Sequence, residues 1–275
     1  TDEGLAMDPS ALERALLEDR GAGRAPFLVC ATAGATNTGT VDPLVELADL
    51  CRREGLWYHV DGAYGGFAVL TERGKVALEG IGLADSVTLD PHKWLYQPYE
   101  VGCLLVRIPG ALETAFSVHP EYLQDTEWGS EHVNFADRGL QLTRRFRALT
   151  VWMSVQTHGL AAFRGAIDQA LDLAQRAEAY IREAADLELL SPAALGVVCY
   201  RFRPQDHDLD DDALEALNAA VQGEIVETGY AMISSTRLRG AYSLRLCILN
   251  YESTWADVEG TLLRVREVGA ELADR

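Results

Sequence analysis

The stretch TVDPLVELADLCRREGLWYHVDGAYGG, residues 40–66, decides the architecture. Leu44, Leu47, Ala48 and Cys51 recur at helical spacing, and Asp42 with Pro43 ahead of them reads as an N-cap followed by a proline at the first helical position. Gly55 supplies the stop, because glycine enters the left-handed conformation at little steric cost. The run LWYHVD that follows is short, apolar and rich in β-formers, so it reads as a buried strand ending at Asp61. Upstream, APFLVCATAG is a second such run and opens into a loop of small residues, TAGATNTG. Strand, helix and strand in this order make a right-handed crossover with parallel strands, and ligands bind such sheets at the carboxyl ends of the strands. The small-residue loop and Asp61 are therefore expected near one another.

Working outward, DPSALERALLEDRGAG predicts a first amphipathic helix, with Asp8 as N-cap, Pro9 at the first helical position and Gly21 as the stop. DSVTLD predicts a third strand leading to Lys93, and VGCLLVR a fourth. Residues 117–139 are polar, aperiodic and longer than a plain connection requires; they read as a mobile loop over about 117–138 that acts as a lid. From RRFRALTVWMSVQTHG to EAAD two helical segments follow. After them come a strand LGVVCYRF, a helix from Asp211 to Glu227, a strand YSLRLCIL and a last helix starting near Thr254. The pattern predicts an α/β unit over 1–145 and connecting helices with an α+β unit over 146–275.

At 275 residues and 48% hydrophobic content the chain can bury a sizeable core. Its formal net charge of −18 repels phosphate backbones and anionic membranes, which argues against nucleic acid and membrane surfaces as partners. No segment approaches the roughly twenty apolar residues of a membrane span. The five cysteines are scattered and mostly set in apolar runs, so they read as buried thiols without disulfides in a reducing compartment, and a cytoplasmic location is expected. The first residue is Thr1, close to a helix start, which suggests that a further segment precedes it or that processing has occurred.

A lysine wedged between His92 and Trp94 at the end of an apolar run is partly desolvated and becomes a candidate nucleophile. An aspartate ending one strand with a lysine beyond the next suits pyridoxal phosphate. The amine binds the cofactor's aldehyde, and a buried carboxylate keeps the pyridine nitrogen protonated so that the ring accepts electrons. The small residues GAYGG after Asp61 leave room for a flat ring against the backbone and Ala63, and His92 is placed to reach a phosphate. Plainer readings exist: Lys93 as a surface lysine, and RRFR as a salt-bridged helix start. His59 and Asp61 have the spacing of two strand-borne metal ligands, but convergent further ligands are missing, so no metal is expected and His59 reads as a hydrogen-bonded core histidine.

From FLVCATAGATNTGTVD through LWYHVDGAYGG to ADSVTLDPHKWL, and again at LQLTRRFRALTVW, the chain resembles the group II pyridoxal-phosphate decarboxylases, nearest the aromatic-L-amino-acid decarboxylase branch. The resemblance covers almost the whole chain. It implies a fold-type I, transferase-like architecture: the C-terminal part of the large, mostly parallel-sheet domain, then a small C-terminal α+β domain. It also implies Lys93 as the Schiff-base lysine, Asp61 as partner of the pyridine nitrogen and Ala63 as the floor under the ring. Thr36 is implied near the ring hydroxyl and substrate, and Asp90 and His92 near the phosphate. Tyr122, in HPEYLQD, matches the loop tyrosine that closes over the substrate and protonates the α-carbon; a phenylalanine there is associated with oxidative aldehyde formation. Tyr99 and Thr143 resemble positions bordering the substrate side chain, and Thr143 suits a phenol or polar group better than an indole.

The implied reaction is decarboxylation of an L-amino acid, aromatic favoured, to the amine and carbon dioxide. Aldehyde synthesis or transamination on the same cofactor is the alternative, as is a catalytically incomplete interaction subunit. Asp90 stands where the branch often has Asn, and its charge opposes a phosphate dianion. Family members also carry a domain-sized stretch before the point where this chain starts, with a Ser/Gly-rich phosphate cup and a histidine that stacks on the ring. The resemblance thus implies a separate N-terminal-half polypeptide as partner, and a dimeric or heteromeric assembly with shared sites.

Overall fold

In the computed structural model, residues 1–117 and 133–274 are described. Helix α1 (Pro9–Gly21) is capped by Asp8, whose side chain accepts from Ser10 N at 2.9 Å, with Pro9 at the start as expected. The crossover unit forms as read: β1 (Leu28–Thr32), α2 (Leu44–Glu54) and β2 (Trp57–Gly62), with β1 and β2 parallel and Gly55 ending α2 at φ 67°. One detail differs. Asp42 does not cap α2; its two oxygens accept from Met7 N and Thr32 N, each at 2.7 Å, and Pro43 holds the cap position. A carboxylate that satisfies two backbone donors from separate segments outcompetes a single local cap bond.

Short helix α3 (Glu72–Ala77) leads towards β3 (Ser86–Leu89), which pairs in parallel with β2. After β3 a single turn, α4 (Pro91–Trp94), precedes β4 (Cys103–Val106), which runs antiparallel to β3 and ends the sheet. Helix α5 (Ala111–Phe116) follows. Helix α6 (Arg147–Glu183) is broken at Gly159, with φ 75° and ψ 154°, so the two expected helical segments are present. Its second segment is apolar on two faces: Ile167 and Leu171 join the core under the first sheet, while Ala170, Ala174, Ala177 and Ile181 join a second core.

That second core lies between the end of α6, α7 (Asp211–Glu227), α8 (Trp255–Ala273) and an antiparallel sheet. The sheet comprises β5 (Leu187–Ala194), β6 (Val197–Phe202), β7 (Ser234–Leu238) and β8 (Ala241–Cys247), in the order β5-β6-β8-β7. β6 is buried along its whole length. Val197 and Cys199 face the first core, and Val198, Tyr200 and Phe202 face the second, which is the period-2 alternation of a strand covered on both sides. Thr254 opens α8 with a reciprocal capping box to Asp257.

The two sheets meet where the β5–β6 turn seats against the loops that follow β1 and β2. A Cβ on Gly39 would lie 2.0 Å from Ala194 O, and one on Gly65 would lie 2.3 Å from Leu195 Cδ1 and 2.5 Å from Ala33 O. Close packing at this seam therefore requires the glycine at position 65. The cysteine expectation also needs correction: Cys51 and Cys199 are buried and Cys103 half-buried, but Cys30 and Cys247 are exposed. Cys30 shares with Leu28 the uncovered face of edge strand β1. Among the described residues no helix is long and apolar enough to cross a membrane.

Candidate active site

At the carboxyl ends of the parallel strands, Thr32, Asp61 and Thr88 lie side by side in register. Along β2, Tyr58 and Val60 point into the core, so strand alternation turns Trp57, His59 and Asp61 to the opposite face. His59 is fully engaged there: Nδ1 is 2.8 Å from Ser86 Oγ and Nε2 is 3.2 Å from Thr88 Oγ1. Asp61 is exposed, where a buried carboxylate was expected, because no described element covers this end of the face. One of its oxygens, Oδ1, accepts from Ala63 N at 3.0 Å; Ala63 itself is half-buried.

One strand further on, α4 presents Lys93. The turn is anchored through its inner side: Trp94 is fully buried with its ring edge-on to Tyr64 at 5.4 Å, and Gln97 Nε2 donates to Leu95 O at 2.6 Å and Ser154 Oγ at 3.0 Å. Lys93 projects from the other side with 33% of its side chain exposed, and its Nζ is 2.9 Å from Asp90 Oδ2. The same oxygen is 3.7 Å from His92 Nε2, while His92 Nδ1 lies 2.7 Å from Val101 O. Asp90 thus directs its charge to the lysine, and the repulsion expected toward a phosphate is offset within the turn.

The flanking residues are placed unevenly. Tyr99 is exposed, with its ring edge-on to His92 at 5.1 Å. Thr143 is exposed just before α6, and Arg147 Nη2 donates to Glu100 Oε1 at 2.6 Å, so the start of α6 is tied to the segment carrying Tyr99. Arg144 stacks over Phe135, its guanidinium carbon 5.1 Å from the ring centre. Thr36 is exposed in the loop after β1, whereas its neighbour Thr38 is buried and donates to Thr40 Oγ1 at 2.8 Å. Tyr122, with most of the expected lid, lies outside the described residues.

Reading the sequence missed a polar cluster beneath the turn. Among the described residues Tyr96 Oη and Arg245 Nε are buried without a hydrogen-bond partner, and Tyr64 Oη is buried beside Trp94 and the Gly196 backbone. Burial pushes both phenols up, Tyr96 to about 12, so they remain protonated donors. The available signal was Arg245 itself, a charged residue set between Leu244 and Leu246 in an inner strand.

The donor set fits pyridoxal phosphate at two points: a partly exposed primary amine, and on the neighbouring strand end a carboxylate with accepting capacity left for a ring N–H. The pattern of the family described as "Pyridoxal-dependent decarboxylase conserved domain" matches residues 1–203. The chain is 44% identical over 274 residues to the aromatic-L-amino-acid decarboxylase of Bacillus atrophaeus, which covers 99% of this chain and 57% of that protein. Among solved structures, Oryza sativa TDC with PLP and tryptamine superposes with a TM-score of 0.90 at 29% identity, over 97% of this chain and 55% of that one. Rhodiola rosea 4-hydroxyphenylacetaldehyde synthase superposes with a TM-score of 0.87 at 27% identity, over 98% and 55%. The chain spans about half the length of the relatives it matches.

Proposed function

The chain belongs to the pyridoxal-dependent decarboxylase family, and on that premise we propose that it carries the lysine-bearing part of a site that converts an L-amino acid, preferably aromatic, to the amine and carbon dioxide. The observation that carries this reading is that Asp61 lies at the carboxyl end of β2 while β3, its parallel neighbour, leads within four residues to the partly exposed Lys93. Pyridoxal phosphate, when bound, supplies a protonated ring that takes up the electron pair left as carbon dioxide departs. Lys93 Nζ would hold the cofactor through its aldehyde carbon, and Asp61 would keep a proton on the ring nitrogen by accepting its hydrogen bond. Ala63 would support the ring, and Thr36 would reach its hydroxyl. Asp90 and His92 lie on the phosphate side, Tyr99 and Thr143 border the substrate side chain, and Tyr122 delivers a proton to the α-carbon.

The working site also needs the remainder of the relatives' length, supplied on the same polypeptide or on a second one, and we propose an assembly of at least two such units. The uncovered apolar side chains Leu104, Leu105, Leu149, Trp152 and Met153 support this. The division we propose, 1–145 and 146–275, is supported by the two sheets joined through α6.

The test is a panel of aromatic L-amino acids supplied with pyridoxal phosphate, with carbon dioxide, amine, ammonia and peroxide measured separately. Amine and carbon dioxide in equal amounts are expected; no carbon dioxide from any member, with the remainder of the site present, would overturn the reading. The likeness to the Rhodiola synthase favours one other outcome, in which oxygen is consumed and aldehyde, ammonia and peroxide accompany carbon dioxide. Tyr122 weighs against it.

A further inference from the structure

Asp90 occupies the N-cap position of α4, yet its side chain makes no capping bond; the turn is closed by backbone alone, with Lys93 N donating to Asp90 O at 2.9 Å. An aspartate at an N-cap ordinarily accepts from the first free N–H groups of the helix. Here the carboxylate swings to Lys93 Nζ instead. His92 is pinned from behind by the main chain of Val101, which leaves its Nε2 facing the same carboxylate oxygen. Among the described residues no other charged group makes an ion pair or hydrogen bond with this trio: Tyr99 meets the His92 ring, Glu100 is paired with Arg147, a Cβ on Gly102 would lie 3.6 Å from Asp90 Oδ1, and the inner neighbours Trp94, Tyr64 and Tyr96 are neutral.

We propose that Asp90 is a positioning residue that holds Lys93 as a charged, oriented ammonium and passes to His92 when the lysine reacts. The proposal rests on the reading of Lys93 as the cofactor lysine. To attack an aldehyde, the ammonium gives one proton to solvent and leaves Asp90; a carbon–nitrogen double bond then forms and one water is released. The carboxylate that remains has His92 Nε2 as its nearest partner. Removing the carboxylate therefore frees the Lys93 amine from its ion pair and opens it to an external electrophile.

The chain suits a direct test, since it contains only two lysines, Lys75 and Lys93. Lys75 pairs with Glu72 in the same i,i+3 relation but with more exposure, and serves as the internal comparator. Trace acetylation by acetic anhydride at one fixed pH, read by peptide mass spectrometry, gives the relative reactivity of each. Asp90→Asn and Asp90→Ser should each raise Lys93 labelling about three-fold relative to Lys75. Asp90→Glu should keep the original ratio. Unchanged or lowered Lys93 labelling in the neutral variants would overturn the proposal. Because this labelling uses no cofactor, it separates failure of the Asp90 role from failure of the functional reading, which borohydride trapping of pyridoxal phosphate tests.

Discussion

On the proposed reading Lys93 and Asp61 share the chemistry unequally, and their variants should fail differently. Lys93→Ala should abolish turnover and the cofactor's imine absorbance together, since no other lysine than Lys75 exists in the chain and Lys75 lies on α3. Asp61→Asn should keep that absorbance while turnover falls by about 10²–10³-fold, the usual loss when one preorganised charge is removed from a developing transition state. Equal turnover in the Asn variant would remove Asp61 from its role. Tyr122→Phe should divert product from amine to aldehyde, with peroxide appearing in step. That Asp61 stands at the end of β2 and Lys93 follows β3 was legible in the sequence, because the apolar runs before them mark buried strands. The exposure of Asp61 was not, since it depends on what covers a face of the sheet. Nor was the partner of Asp90, which chose between a cap bond and a lysine one turn away.

At the scale of elements, what could be read followed burial. β6 and β8 are inner strands with apolar runs and were legible, whereas β5 and β7 are the edges of the same sheet and escaped notice. β5 carries Pro192 and two register shifts, and β7, SSTRL, is polar, as edge strands often are. The loops that seat the β5–β6 turn make a sharp prediction. Gly39→Ala meets backbone at 2.0 Å and also needs φ 75°, so it should cost about 1–3 kcal/mol for overlap and about 1 kcal/mol more for the left-handed backbone. Gly23→Ala shares the positive φ but meets nothing within 4 Å, and should cost only the second amount. Urea midpoints of the two variants check this.

Across β5 and β6, Glu188 would be raised by its burial, but hydrogen bonds from Arg201 and Arg203 hold it below the usual carboxylate range. A depressed folded value means stability that is present above the unfolded value of about 4.3 and lost as pH falls through the folded one. Glu188→Gln should therefore flatten the acid limb of the stability profile while lowering stability at neutral pH.

For the whole molecule, a net charge of −18 and an uncovered apolar face act in opposite directions on association. Copies repel at long range and attach at short range, so the assembly proposed above should tighten as salt screens the repulsion. Trp152→Glu, which places a charge on the exposed helix segment before Gly159, should dissociate it in sedimentation velocity without unfolding the chain. The central claim is that Lys93 is the amine that holds pyridoxal phosphate, and one measurement addresses it most directly: borohydride reduction of the cofactor-loaded protein followed by peptide mapping. The account predicts a reduced pyridoxyl group on Lys93 alone, with loss of the imine absorbance. A group on Lys75, or none on either lysine when the remainder of the site is present, would contradict it.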